Sequence, residues 1–124
     1  MPIDEPQPSQ LYLDGSKLAE VAGWFDFDDP EYDPLLVRAF DGEWVVVDGH
    51  TRGVLALLAG ESVLRCREDP DDDHARLYRE CVDWCEEAGI TSVAGLVGRV
   101  VSHETYDERW VQRCQRAADR LDEG

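Results

Sequence analysis

The chain has 124 residues and carries 12 basic against 28 acidic side chains, which gives a net charge of −16. Proteins that bind DNA or RNA through the phosphate backbone need clustered positive charge, so this balance excludes a nucleic-acid partner. No apolar run reaches the roughly 18 residues of a membrane span, and the first residues lack the basic and apolar regions of a signal peptide. We therefore expect one cytoplasmic domain without a membrane partner.

The basic residues are almost all arginine, since Lys17 is the only lysine in the sequence. An acidic, lysine-poor but otherwise globular composition resembles that of halophilic cytoplasmic proteins. Such a surface repels itself in dilute salt, and concentrated salt screens the repulsion. The composition therefore predicts a fold that is less stable at low than at high salt concentration.

The N-terminal part of the chain is rich in proline. Three of the six prolines fall within residues 1–10, which predicts an extended N-terminal arm. Ser16 is a suitable N-cap for an amphipathic helix over residues 17–25, where apolar residues follow helical spacing. The acidic, proline-punctuated stretch 26–34 then predicts a loop.

Two apolar runs in the middle of the sequence predict a β-hairpin. The runs cover residues 35–40 and 43–47 and are separated only by Asp41-Gly42. A two-residue Asp-Gly linker between apolar runs is a strong hairpin signal, because both residues tolerate the left-handed backbone of the turn.

The second strand of the hairpin leads directly into a turn of five residues, Asp48-Gly49-His50-Thr51-Arg52. Gly49 gives the backbone the freedom for a sharp reversal, and the apolar run that follows predicts a short buried helix. The side chain of Asp48 or Thr51 is predicted to cap the first free amide groups of this helix.

The same turn breaks a local preference. His50 and Arg52 place cations at a helix N-terminus, where a positive side chain costs roughly 0.3–1 kcal/mol unless an anion lies in front of it. Free amides, a glycine turn and a guanidinium suit a phosphate, which predicts phosphate binding by Gly49, His50, Thr51 and Arg52. Asp48 is the best-placed carboxylate to orient Mg²⁺ or to accept a hydroxyl proton. The alternative is a capped turn with a solvated arginine.

The segments after the turn predict a strand and a linker. Residues 62–67 alternate in polarity and indicate a half-buried strand, on which Arg65 and Arg67 are interpreted as solvated surface residues. Residues 68–73 form an acidic linker, which is either a solvated connection or a halophilic insertion.

The C-terminal part, residues 74–124, is predicted to be largely helical. A helix is expected over residues 74–88, a short helix over 92–97 and a short extended piece at Val100-Val101. Ser102 then caps a final helix whose apolar residues recur every three or four positions.

The four cysteines admit two interpretations. Cys81 and Cys85 are one helical turn apart, which can place two thiolates on one metal, so a zinc site with Cys66 and Cys114 is one alternative. However, the sequence contains no C-x-x-C, and all four positions fit apolar faces. Free cysteine is a common small core residue, so we predict reduced thiols in the core and no metal.

The central stretch resembles a known family. The residues V-V-D-G-H-T-R, followed by an Ala/Leu-rich helix ending in A-G, are similar to the ParB/sulfiredoxin superfamily over about residues 8–67. Segments 78–90 and 100–114 resemble the tail of its short, single-domain ParB-like proteins. The resemblance implies an α/β (α+β) fold with a nucleotide-binding core over 11–67. It consists of a small mixed sheet and a phosphate-binding helix, with two C-terminal helices alongside.

The resemblance also implies a function, because members of the superfamily hold nucleotide phosphates at this turn. The implied ligand is ADP, ATP or CTP with Mg²⁺, and an implied activity is phosphotransfer to a small hydroxylated metabolite such as serine. Asp48 and His50 then match catalytic positions, and Ser9 and Gln10 match the substrate pocket.

Two departures from the family pattern bear on catalysis. The turn lacks the cysteine of the sulfiredoxin sequence G-C-H-R, which argues against that activity. Gln10 stands where the serine kinase has a glutamate base, and an amide is not a useful proton acceptor. A non-catalytic nucleotide-sensing or protein-interaction module is therefore one alternative, and a metal-stapled interaction domain is another.

Overall fold

The computed structural model describes residues 1–121, which form a mixed α/β fold. Within these residues the strands are β1 (Leu13–Asp14), β2 (Leu35–Phe40), β3 (Glu43–Asp48), β4 (Cys66–Glu68) and β5 (Val100–Val101). The α-helices are α1 (Gly15–Trp24), α2 (His50–Leu58), α3 (Ala75–Glu87), α4 (His103–Tyr106) and α5 (Gln112–Leu121). A 3₁₀ turn covers Val93–Leu96, and a π-helical segment, Asp107–Val111, joins α4 to α5.

The larger sheet has the strand order β3-β2-β4, and the smaller one pairs β1 with β5 in parallel. Strands β2 and β3 are antiparallel, which confirms the predicted hairpin, whereas β4 is parallel to β2. Asp41 and Gly42 both have positive φ, 51° and 83°. This is the left-handed geometry that the Asp-Gly linker predicts.

A β-bulge interrupts the hairpin shortly before β3 ends. Leu36 pairs with Asp48 and Val37 pairs with Val46, so Val47 is the extra residue on β3. Bulges bend a strand and re-aim its side chains, and they are frequent beside functional sites. This bulge lies directly ahead of the turn at residues 48–52.

The N-terminal arm is extended, and it is packed against the sheet rather than free. Gln7 bonds to the outer edge of β3, donating from its amide to the Trp44 carbonyl and accepting from the Val46 amide, each at 2.9 Å. Pro6 and Pro8 are fully buried beside it. Edge pairing of this kind covers backbone groups that would otherwise be open to another strand.

Helix α2 lies between two hydrophobic clusters. Val54 packs into the cluster shared with α3 and the C-terminal helix, whereas Leu55 and Ala56 pack into the cluster around the larger sheet. Burial on several sides explains why this stretch of the sequence is almost continuously apolar.

Several predicted boundaries change. Helix α1 begins at Gly15 because Asp14, not Ser16, is the N-cap, and its Oδ1 accepts from the Ser16 amide at 2.9 Å. The strand predicted over 62–67 is regular only from Cys66, although buried Leu64 and exposed Val63 show the expected alternation.

The acidic linker is held in place by a buried arginine on β2. Arg38 forms ion pairs with Asp69 at 3.0 Å and with Asp73 at 2.9 Å. It also donates to the Asp73 carbonyl, so the linker is tied to the sheet at both ends. In the described part of the chain no helix is long and apolar enough to cross a membrane.

Candidate functional site

The turn between β3 and α2 is built around a left-handed glycine. Gly49 has φ 101° and ψ 22° and is the N-cap of α2, and no side chain caps the helix. The predicted cap by Asp48 or Thr51 is therefore wrong. The first helical hydrogen bond runs from the Gly53 amide to the Gly49 carbonyl at 3.0 Å. The amide groups ahead of Gly53 thus lack a partner within the helix, as at any helix start.

The side chain of Arg52 folds back over this turn. Its Nη2 lies 3.3 Å from the Pro34 carbonyl oxygen and 3.7 Å from Oδ2 of Asp48. A Cβ atom placed on Gly49 would come within 2.7 Å of Nη2 and within 2.9 Å of Leu35 Cγ, so an added methyl group would displace the guanidinium and press on Leu35. The Nε of Arg52 is buried and has no hydrogen-bond partner among residues 1–121.

A groove of about 480 Å³ lies in front of Arg52, and we call it the Arg52 groove. The groove is lined by Asp33, Pro34, Leu36, Asp48, Arg52 and Arg67. Arg67 is exposed, as the sequence predicts, and its place at the groove is what the sequence did not indicate, because nothing in the alternation of β4 shows that this strand end lies beside the turn. The groove therefore combines two guanidinium groups with two carboxylates.

His50 faces away from this groove. Its ring is 4 % exposed, and its Nε2 accepts a hydrogen bond from the Ser9 amide at 3.0 Å. Burial, with a smaller contribution from the charge of Lys17, lowers the pKa of His50 to about 3. The expectation that His50 adds a cation at the helix start is therefore wrong, because the ring is neutral at pH 7.

The hydrogen bond to Ser9 also fixes the tautomer of His50. Because Nε2 accepts, the proton of the neutral ring lies on Nδ1. No acceptor for that N–H is found in the described part of the chain. A donor group is therefore available on a side chain that is otherwise enclosed.

A second cavity, of about 300 Å³, lies on the His50 side of the turn, and we call it the His50 pocket. It is lined by Ser9, Gln10, Val47, His50, His74, Leu77, Tyr78, Cys81, Trp110, Cys114 and Ala118. The structure thus brings His50 together with Ser9 and Gln10, the two residues that match the substrate pocket in the resemblance. Ser9 donates to the Val46 carbonyl at 2.6 Å, and Gln10 donates to the Tyr12 carbonyl at 2.7 Å.

Sequence reasoning missed the helical wall of the His50 pocket. Tyr78 and His74 come from the start of α3, and Trp110 comes from the π-helical segment. Their positions fit an ordinary apolar stripe, so their periodicity does not separate a pocket from a core. The π-helical turn that carries Trp110 is visible only in the structure, and such turns are rare and frequently lie at functional sites.

No protein-family model matches this chain, and no curated protein or solved structure matches it. The relationship to the ParB/sulfiredoxin superfamily therefore stays a prediction.

A concavity of about 660 Å³ lies elsewhere on the surface. It is lined by the carboxylates of Glu5, Glu43 and Glu86 together with Gln7 and Trp44. Three carboxylates repel an anion, so this concavity does not fit a phosphate. The volume of this concavity alone does not indicate a ligand.

The four thiols do not converge on one point. Cys81 and Cys114 pack in one hydrophobic cluster, whereas Cys66 packs against the other. Among residues 1–121 no three His, Cys, Asp or Glu side chains lie close enough together to hold a metal ion.

Proposed function

We propose that this protein binds a nucleotide by its phosphates in the Arg52 groove. The observation that carries the proposal is the Arg52 guanidinium, which is folded over Gly49 at an uncapped helix start with its Nε–H unpaired. The Nη2 group of Arg52 makes only a long bond of 3.3 Å to Pro34 and a 3.7 Å ion pair with Asp48, so it is available for a charge-assisted bond to a phosphate oxygen. The positive end of the α2 dipole lies beside the groove, although Arg52 is the one residue of the predicted set Gly49, His50, Thr51 and Arg52 that lines it.

The charges of the groove indicate that the phosphate binds with a divalent cation. Arg67 adds a second positive charge, but Asp33 and Asp48 add two negative ones. Carboxylate oxygens are ligands that Mg²⁺ accepts, and the Asp48 carboxylate is 56 % exposed. Asp33 and Asp48 are thus the residues that suit Mg²⁺, which would neutralise the phosphate charge facing them. ADP, ATP and CTP are the ligands that the resemblance of the turn implies.

The His50 pocket suits a small organic molecule beside the phosphate site. It begins at Val47, the residue before Asp48, and offers the rings of Tyr78 and Trp110 and the Nδ1–H of His50. Aromatic walls with a few placed polar groups are typical of small-molecule sites. This pocket is our candidate for the phosphate acceptor, such as a hydroxylated metabolite.

Nucleotide binding without catalysis is the form of the proposal that the geometry favours. The Gln10 amide donates to a backbone carbonyl, and His50 is neutral with Nε2 already bonded, so neither residue supplies a general base. One observation supports phosphotransfer as the second candidate. Asp48 is an exposed carboxylate beside Arg52, where it can accept the proton of an attacking hydroxyl.

A thermal-shift panel tests the proposal. The full chain is melted in high KCl with ADP, ATP and CTP, each with and without Mg²⁺. A ligand present at 100 times its Kd stabilises the fold by about 2.7 kcal/mol, which is roughly 10 °C in Tm for a domain of this size. We expect this shift only with Mg²⁺ and with at least one of the three nucleotides.

The matched variants are Arg52→Ala and Arg65→Ala. Arg65 lies over the Tyr32 ring and does not line the Arg52 groove, so its loss leaves the proposed site intact. Arg52→Ala should weaken binding about 10- to 100-fold, the equivalent of one charge-assisted hydrogen bond. If wild type and both variants respond alike, the proposed site is wrong. Formation of phosphoserine from ADP and serine, abolished in Asp48→Asn, would establish the catalytic form.

A further inference from the structure

Two of the four cysteines meet at the wall of the His50 pocket, although they are 33 positions apart in the sequence. Cys81 belongs to α3 and Cys114 to α5, two helices that pack against each other. Cys81 is 4 % exposed, and Cys114 is half-buried. Both side chains pack in the same hydrophobic cluster and line the same cavity.

We propose that Cys81 and Cys114 are a redox-active dithiol, which hydrogen peroxide converts reversibly into a disulfide across α3 and α5. The pocket supplies the access that a fully enclosed thiol pair lacks, because both side chains line a cavity of about 300 Å³. Disulfides in the cytoplasm are rare, and those that occur are mostly transient or redox-sensing.

The two sulfurs have different tasks. The neighbouring Cys81 thiol, with help from the charge of Arg113, lowers the pKa of Cys114, whereas the interaction with Cys114 and burial raise the pKa of Cys81. Cys114 is therefore the thiol that ionises and reacts first, since the thiolate is the nucleophile. Cys81 is the resolving thiol.

The chemistry balances in two steps. The Cys114 thiolate attacks one peroxide oxygen, the O–O bond breaks, and the hydroxide released takes up a proton, leaving a sulfenic acid on Cys114. The Cys81 sulfur then attacks the Cys114 sulfur. The S–S bond forms, and the hydroxyl leaves as water with the Cys81 proton. The sum is two thiols and one peroxide to one disulfide and two waters, and a dithiol reductant reverses it.

The other two cysteines are internal controls. Cys85 lies one turn from Cys81 on the same helix and is fully buried, but it does not line the pocket. Burial raises the pKa of Cys85 to about 12, which makes it unreactive at neutral pH. Cys66 packs against the cluster around the larger sheet.

The test uses the full wild-type chain, without nucleotide, treated with a small excess of hydrogen peroxide. We expect the free thiols counted after denaturation to fall from four to two and to return to four with a dithiol reductant. Peptide mapping should show Cys81 joined to Cys114. The oxidised chain should also melt roughly 5 °C or more higher than the reduced one, because the cross-link restricts the unfolded chain.

Single-cysteine variants show which thiols take part in the reaction, and the peptide map of the wild-type chain can be interpreted without them. Cys66→Ser and Cys85→Ser should still form the disulfide, whereas Cys81→Ser should stop at the sulfenic acid on Cys114. The proposal is overturned if four thiols persist, if the map joins another pair, or if wild-type Cys114 is oxidised without forming a disulfide. No nucleotide enters these measurements, so their outcome is independent of the proposed function.

Discussion

At Gly49 the backbone adopts a conformation that side chains resist, and the space where a Cβ would lie is occupied by Arg52. Two constraints therefore act on one residue, the positive φ of 101° and the contact with the guanidinium. Sequence reasoning could predict the first, because a strand-to-helix turn at a glycine is a local signal. The contact with Arg52 depends on the positions of Leu35 and Pro34 beside the turn. These residues are distant in the sequence, so no local sequence pattern predicts the contact.

Gly49→Ala should destabilise the fold by about 2–4 kcal/mol, since left-handed strain and displacement of Arg52 add. The matched control is Gly60→Ala. Gly60 also has positive φ, at 87°, but nothing lies within 4 Å of the added methyl group. The control should lose only the strain, about 1–2 kcal/mol. Urea denaturation measures both values, and equal losses would show that neither Arg52 nor Leu35 packs closely against Gly49.

His50 is the residue for which the sequence was least informative. A histidine next to an arginine at a helix start favours an anion site, but the ring turns inwards to accept from the Ser9 amide. That partner comes from the N-terminal arm, 41 positions away in the sequence. Long-range contacts of this kind decide the protonation of a histidine, and local patterns do not reveal them.

The buried neutral ring makes folding sensitive to acid. The pKa of His50 is about 3 in the fold and about 6.5 in the unfolded chain, so between these values only the unfolded state binds the proton. The contribution of His50 to stability is therefore present above pH 6.5 and falls by about 1.4 kcal/mol for each pH unit below it. Nitrogen NMR of the histidine rings should show His50 neutral at pH 5, and titration near pH 6 would contradict this.

At the scale of elements, the hairpin and α2 follow from the sequence because their signals are local. The Asp-Gly linker, the β-branched run and the apolar helix point to the same structure, and agreement of this kind makes a segment predictable. The N-terminal arm and the acidic linker are different, because their order depends on partners elsewhere. Buried Arg38 holds the linker, and an arginine on a strand does not reveal in advance which carboxylates it will pair with.

An exposed ion pair joins the start of α1 to the start of α4. His103 Nδ1 lies 2.6 Å from Oδ2 of Asp14. The hydrogen bond to Asp14 raises the pKa of His103, and the same bond, against partial burial, lowers the pKa of Asp14. The ion pair of His103 adds its full amount to the free energy of unfolding below pH 6.5, the approximate pKa of an unfolded histidine. This stabilisation is lost as the pH rises through the higher pKa of His103 in the fold. The stabilisation by the Asp14 carboxylate is present above about pH 4, the pKa of an unfolded aspartate, and is lost as the pH falls through the lower pKa of Asp14 in the fold.

His103→Ala should therefore lower the Tm at pH 5 and leave it unchanged at pH 9. Asp14→Asn is the matched variant, because asparagine still caps α1 but removes the charge. It should give the same pH profile, and the double variant should lose no more than either single one. A His103→Ala effect that is equal at both pH values would mean that packing, not the ion pair, joins these helices.

For the whole molecule, the net charge of −16 is the dominant electrostatic property. Carboxylates repel one another over the surface, and salt shortens the reach of that repulsion to a few ångströms at molar concentration. We expect the Tm to rise by several degrees between dilute and molar KCl. A Tm independent of KCl would mean that the acidic surface is arranged so that its repulsion is already offset.

The molecule as a whole places two cavities against one short turn, the Arg52 groove and the His50 pocket. The mixed α/β fold could be predicted from local signals, and so could the residues of the turn. The sequence could not predict which cavity each residue of the turn faces, because alternate residues at the bulge face different sides of the strand. The His50 pocket is also closed only by the packing of α3 and the C-terminal helix, which is a long-range contact.

The central claim is that the amides at the start of α2 and the Arg52 guanidinium hold a phosphate. The most direct test is a titration of ¹⁵N-labelled protein with ADP and Mg²⁺ in high KCl, followed by amide NMR. Our account predicts that the largest shifts fall on Gly49, His50, Thr51 and Arg52 and disappear in Arg52→Ala. Saturating nucleotide that leaves these four amides unmoved, or moves only residues elsewhere, would contradict it.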